Sequence, residues 1–324
     1  MRLPLPVPQS SYPRGSVLLS VTLRGYVVTL CLASTLAAQG RTKVAMLGTG
    51  TPIPDPDRSG PAVAIVVDSF AYLFDAGTGV VRRASAAGKA GISAFKAPNP
   101  RAQPNPRFEK IFITHLHSDH TMGLADAIFT PWIQGKREPV DIYGPTGLNY
   151  VVQTILDGNA EDIAERVASS GGPARDGWKA QVHEIAPGEV FRDSRITVRA
   201  FQVPHSEWPN AYGYRIDTPD RSIVISGDTR ESDAVAQACN GCDILVHEVY
   251  SDSGFATIAP ARQVYHRTAH TGAAAVGRIA TKARAKLLVL THQLFFGASD
   301  EQLLREVRAT FTGKVVSGKD LDVY

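Results

Sequence analysis

Ile111-Phe112-Ile113-Thr114-His115-Leu116-His117-Ser118-Asp119-His120 decides the reading of this chain. An apolar run of strand character feeds directly into a turn that holds three of the nine histidines. In an extended turn alternate residues point to the same side, so His115 and His117 can reach one ion while Asp119 and His120 swing toward a neighbouring point. Imidazole and carboxylate together are donors for zinc, and also for manganese or iron.

Outward from this turn the chain alternates strands and helices. Upstream, Lys43–Leu47, Ala62–Val67 and Tyr72–Phe74 read as strands, and 78–87 as a helix. Residues 88–107 hold four prolines and few large apolar residues, and read as an exposed loop. Downstream, 122–133 and 149–167 have helical spacing. Strands are expected at 140–143, 181–184, 196–203, 212–216, 223–226, 244–246 and 287–290, with helices at 232–237, 271–283 and 300–309. Two β-rich halves separated by helices predict stacked sheets covered by helices, an α/β (α+β) architecture. Neither a GxxxxGK[ST] loop nor a strand-linked GxGxxG occurs, so nucleotide-cofactor folds of those two kinds are excluded.

The motif Thr114–His120 resembles the HxHxDH signature of the metallo-β-lactamase superfamily. Further segments fit in order: Leu47-Gly48-Thr49-Gly50-Thr51-Pro52, Phe74-Asp75-Ala76-Gly77, His205 with Tyr212-Gly213-Tyr214-Arg215, Ser226-Gly227-Asp228-Thr229, His247-Glu248, His270-Thr271 and Leu290-Thr291-His292. They are similar to the ribonuclease Z-like branch, which also includes small phosphodiesterases and arylsulfatase-like hydrolases. The resemblance implies one domain over 42–324 with the four-layer αββα sandwich. It implies two divalent metal ions, zinc first and manganese or iron as alternatives. His115, His117 and His205 would hold one ion, Asp119, His120 and His292 the other, and Asp228 would bridge.

Two ions that share a water lower its pKa toward neutrality and hold the charge of the transition state. Asp119 is thereby counted with the catalytic groups. In this branch a histidine at the position of His270 is thought to protonate the leaving group. Glu248 is expected to orient His270 and keep it charged. Asp75 either accepts a hydrogen bond from a ligand imidazole or caps the following helix. Trp208, near His205, would stack on an aromatic leaving group or anchor the surface; the 88–107 loop and 206–209 would close the pocket.

The expected activity is hydrolysis of a small anionic ester, foremost a phosphodiester, with aryl sulfates, lactones or another ester or amide as alternatives. tRNA 3′-end cleavage ranks below these, and a non-catalytic metal-binding protein is a further alternative. The stretch between Gly144 and His205 lacks a long basic arm, and Asp157, Glu161, Asp162 and Glu165 face one Arg166 in it, a poor surface for a phosphate backbone. His270 is followed by Thr-Gly where the tRNA enzymes carry Ser-Thr. Nucleic acid is therefore not the expected partner; a small anionic ester is, and the resemblance leaves a homodimer open.

Composition agrees with an enzyme body. Of 324 residues 44% are hydrophobic and 20% charged, enough to bury a core. The net charge of +3 comes wholly from Arg2, Arg14 and Arg24, so the remainder is neutral, unlike a general nucleic-acid binder. Residues 1–38 read as an export leader: basic residues precede an apolar run at 25–38, too short to span a bilayer comfortably, with small residues at its end. The expected location is the periplasm or the exterior, with no stable membrane insertion of the remaining chain. Cys239 and Cys242 form either a small disulfide loop or two semi-buried thiols.

Overall fold

The computed structural model describes residues 42–97, 106–169, 172 and 175–324. The expected leader at 1–38 lies outside them, as does 98–105 of the expected loop.

The first half builds a six-stranded sheet in sequence order: β1 Thr42–Gly48, β2 Ala62–Val67, β3 Phe70–Phe74, β4 Lys110–Phe112, β5 Val140–Gly144 and β6 Ala180–Glu184. Its helices are α1 Val80–Lys89, α2 Ser118–Thr121, α3 Leu124–Ile133, α4 Leu148–Gly158 and α5 Ala160–Ala168. The second half builds a seven-stranded sheet: β7 Gly188–Arg192, β8 Thr197–His205, β9 Trp208–Asp217, β10 Ser222–Ile225, β11 Ile244–Tyr250, β12 Leu287–Leu294 and β13 Lys314–Ser317. With it go α6 Asp233–Cys239, α7 Asp252–Phe255, α8 Pro260–Ala269, α9 Ala273–Ala283 and α10 Asp300–Arg308.

Strand periodicity explains the layering. Val63, Ile65 and Val67 of β2 pack toward the second sheet, against a cluster that includes Tyr214, Ile216 and Val246. Ala62, Ala64 and Val66 of the same strand pack on the other face, with Val80, Ala84 and Leu124 of the helices. A strand covered on both faces has no polar side to show, and β2 is accordingly apolar at all six positions. Leu245 and Leu288 of the second sheet pack likewise against Val276 and Leu303 of α9 and α10. Three apolar layers separate four layers of structure, the expected αββα order.

Topology places the site. β3, β4 and β5 run parallel, as do β10, β11 and β12. Open parallel strands present ligand-binding loops at their carboxyl ends. Those ends carry Asp75, the His115–His120 turn, Asp228, Glu248 and His292.

Several expected boundaries move. The single helix over 149–167 is two, because Gly158-Asn159 interrupts it and the helix restarts at Ala160. α8 falls where no helix is expected. The 88–107 loop is not wholly exposed: a 3₁₀ turn at Ser93–Phe95 buries Phe95, which meets Phe108 edge-on.

Candidate metal centre

The HxHxDH turn begins where β4 ends. His117 is extended at the N-cap of α2, and Asp119 and His120 lie inside that one-turn helix. His205 closes β8, and a register shift between Val203 and His205 turns it off the regular ladder. His292 is the extra residue of a β-bulge: Glu248 pairs with Thr291 and Val249 with Gln293, and His292 between them has φ of 45°. Bulges re-aim side chains in this way next to active sites. Asp75, also non-glycine, has φ of 59°. Such backbone costs on the order of 1–3 kcal/mol per residue and persists where surrounding structure imposes it. Before Asp228, Gly227 has φ of 61°, and a Cβ there would lie 2.5 Å from the Tyr212 carbonyl oxygen.

Donor atoms converge in two groups. His115 Nε2 and His205 Nε2 lie 2.9 and 3.1 Å from His117 Nδ1. His292 Nε2 and His120 Nε2 lie 3.2 and 3.5 Å from Asp119 Oδ2. Asp228 Oδ2 stands between the groups, 4.0 Å from His115 Nε2, 3.5 Å from His120 Nε2 and 3.4 Å from His292 Nε2. All seven expected ligands are thus brought together, with His117 half-buried and the others buried.

The outer ring nitrogens show whether these donors suit a metal. His205 Nδ1 donates to the Ala269 carbonyl at 2.6 Å, and His120 Nδ1 to Asp75 at 2.8 Å. Asp75 also accepts from the backbone and hydroxyl of Thr114, so the hydroxyl oxygen is free to accept from His115 Nδ1 at 3.0 Å. Each of these three imidazoles turns an Nε2 lone pair inward. Inward lone pairs with bridging carboxylates fit divalent cations of the zinc type.

Electrostatics point the same way. Burial pushes His115 well below its ordinary pKa and His117 down to about 4, which keeps both neutral. Burial works against ionisation of Asp228, but the facing His292 and His120 outweigh it and hold the carboxyl well below its usual range.

His270 lies beside this centre, Nδ1 3.8 Å from Asp228 Oδ2 and 3.4 Å from Glu248 Oε2. Its ring stacks on His292. Glu248 is buried, and its Oε1 accepts from the Thr271 backbone at 2.8 Å. Burial, then the Asp228 charge, pushes the Glu248 carboxyl up, and burial pushes His270 down to about 4. Both shifts act against the charged pair expected of these two groups.

Two further expectations change. α1 begins at Val80 with Gly79 as N-cap, so Asp75 is not a helix cap. Trp208 Nε1 lies 2.7 Å from His117 Nε2, so the indole packs against a candidate ligand and lies outside the cavity wall. That cavity, of about 470 Å³, opens over Asp119, Asp228, His270 and His292. Its walls are 50–56 with Arg58 on one side and α8 on the other, closed by 293–296. Neither 206–209 nor the described part of 88–107 takes part.

An αββα sandwich with donors gathered at the sheet ends defines a metal-dependent hydrolase. Residues 71–293 match the model of the β-lactamase superfamily domain, a span that contains every candidate ligand. The chain is 33% identical to Ribonuclease Z of Mycobacterium bovis over 291 residues, covering 86% of this chain and 96% of that protein. It is 32% identical to Ribonuclease Z of Mycobacterium tuberculosis with the same coverage. Human tRNase Z, short form, superposes with a TM-score of 0.61 at 25% identity, over 87% of this chain and 98% of that one. The metallo-β-lactamase fold protein YhfI of Bacillus subtilis, at 19% identity, shares the fold with a TM-score of 0.63 over 87% and 99%. This chain belongs to the metallo-β-lactamase superfamily as a ribonuclease Z-like member.

Proposed function

We propose that the chain is a binuclear-metal phosphodiesterase that cleaves RNA, as its ribonuclease Z relatives are named for doing. The alignment over 96% of the Mycobacterium bovis ribonuclease Z carries this reading. It weighs against the expectation of a small ester and against the exclusion of nucleic acid. That expectation leaned on a missing arm, yet a ribonuclease Z aligns almost end to end with this chain, so nearly all of that relative has a counterpart here.

His115, His117 and His205 would hold one ion and Asp119, His120 and His292 a second, with Asp228 between. Two divalent ions there supply a water of lowered pKa and polarise the phosphoryl oxygen. The protein fixes the donors through Asp75, Thr114 and the Ala269 carbonyl. It places His270 on the cavity lining between Glu248 and His292, where the phosphate of a bound substrate would raise the ring's pKa and let it give a proton to the departing oxygen.

A second reading, a small phosphodiester met outside the reducing cytoplasm, is favoured by one observation. Cys239 and Cys242 are joined in a disulfide, and such bonds persist mainly in oxidising compartments. Export to the periplasm or exterior is proposed as part of this reading.

Purified zinc-loaded protein given a hairpin RNA with an unpaired 3′ extension, beside bis(p-nitrophenyl) phosphate, tests the choice. Cleavage at the junction supports the first reading. Turnover of the small diester with intact RNA supports the second, and inertness toward both refutes phosphodiester chemistry.

A further inference from the structure

α8 turns a chemically marked face toward the cavity. Arg262 stands one helical turn before the adjacent Tyr265 and His266 on it, just ahead of His270. Arg262 is exposed and forms no ion pair among the described residues. Tyr265 is a large ring left 44% exposed, its centroid 6.3 Å from that of His270. His266 is nine-tenths buried, yet its Nδ1 has no hydrogen-bond partner. Ile53, 66% exposed, lines the same cavity, on a loop stiffened by Pro52, Pro54 and Pro56.

From this arrangement we infer that α8 and the 52–56 loop form a subsite for one nucleobase, that of an unpaired nucleotide next to the scissile phosphate. The inference rests on the phosphodiesterase reading and names the part of the substrate it takes. An aromatic ring facing an apolar wall is the usual platform for a single unstacked base. A cavity of about 470 Å³ has room for a single nucleotide. Arg262, exposed on the cavity lining, meets the next phosphate. Arg58 is not part of the recognition, because it is held by Gln293 and Thr49.

The test uses the zinc-loaded full chain and a hairpin RNA with an unpaired 3′ extension, made with natural or abasic nucleotides flanking the cleavage point. The wild type should show a KM about tenfold lower for the natural RNA. Tyr265→Ala should erase that difference by raising KM for the natural RNA alone, and Tyr265→Phe should restore it. Equal loss on both RNAs would make Tyr265 merely structural and overturn the subsite. Binding of AMP and of ribose 5-phosphate, measured by calorimetry, reads the subsite without turnover. The wild type should prefer AMP about tenfold and Tyr265→Ala should bind both alike. If no RNA is cut, the RNA-cleaving reading fails, and the AMP comparison still decides the subsite: absence of a wild-type preference overturns it.

Discussion

Asp75 and His120 are joined by a 2.8 Å hydrogen bond from the imidazole Nδ1 to the carboxylate. The bond fixes the tautomer in which Nε2 faces Asp119 and Asp228. Asp75 also ties down Thr114, and Thr114 ties down His115, so one carboxylate sets rings in both donor groups. Asp75→Asn should weaken metal binding about 10–100-fold, measured by competition with a chromogenic chelator. Unchanged affinity would show that the carboxylate serves only the backbone of the turn.

His270 touches the centre without belonging to either donor group. His270→Ala should keep its metal and lose about 100-fold or more in kcat for diesters with poor leaving groups. With p-nitrophenolate as leaving group the loss should be small. Equal losses across leaving groups would exclude proton donation.

Glu248 makes a different prediction, because burial pushes its carboxyl up. Glu248→Gln preserves the acceptor for the Thr271 backbone and should stay within several-fold of wild type. Glu248→Ala should lose His270 orientation and most of the turnover. A Gln variant as inactive as the Ala variant would mean that the negative charge matters.

pH dependence of stability follows from buried neutral imidazoles. His247 is fully buried, its Nδ1 donating to the Glu248 carbonyl, and burial lowers it to about 4. The unfolded chain takes up this proton near pH 6.5, while the folded chain resists until about pH 4. The stability contribution is therefore complete above about pH 6.5 and lost as pH falls toward 4, by up to about 3 kcal/mol for this one group. Urea midpoints across that range should fall with acid, and His247→Gln should flatten the slope. A slope unchanged by the substitution would assign the effect to the other histidines.

The Cys239–Cys242 bridge closes a very short loop at the end of α6, where Asn240 and Gly241 have φ of 38° and 84°. Cys239→Ser with Cys242→Ser should cost about 2 kcal/mol in urea unfolding under oxidising conditions. No change would mean that the turn is held by its other contacts, such as Arg215 on the Ala238 and Cys239 carbonyls.

The layers and the candidate site were legible for a physical reason. Strands buried on both faces are plain apolar runs, and each candidate ligand sits where such a run stops. His292 follows such a run and is implied as a ligand by the resemblance, but the bulge that aims it leaves no mark in composition. The upward pKa shift of Glu248 is equally hidden, since it depends on which groups the fold packs around the carboxyl. α8 was missed because Ala261-Arg262-Gln263-Val264 begins with a surface face and the cavity side carries Tyr265 and His266 in place of aliphatic residues. Trp208 was placed correctly beside the ligands and assigned the wrong partner. A hairpin closed by a His205–Trp208 pair turns the indole onto His117, which spacing alone does not reveal.

Metal content tests the central claim most directly. Elemental analysis of the purified chain, dialysed against trace zinc, should find two divalent ions per chain. Asp228→Asn should lower that number, with activity falling in step. A wild-type chain that stays fully active after exhaustive chelation, with far less than one ion bound, would contradict the account.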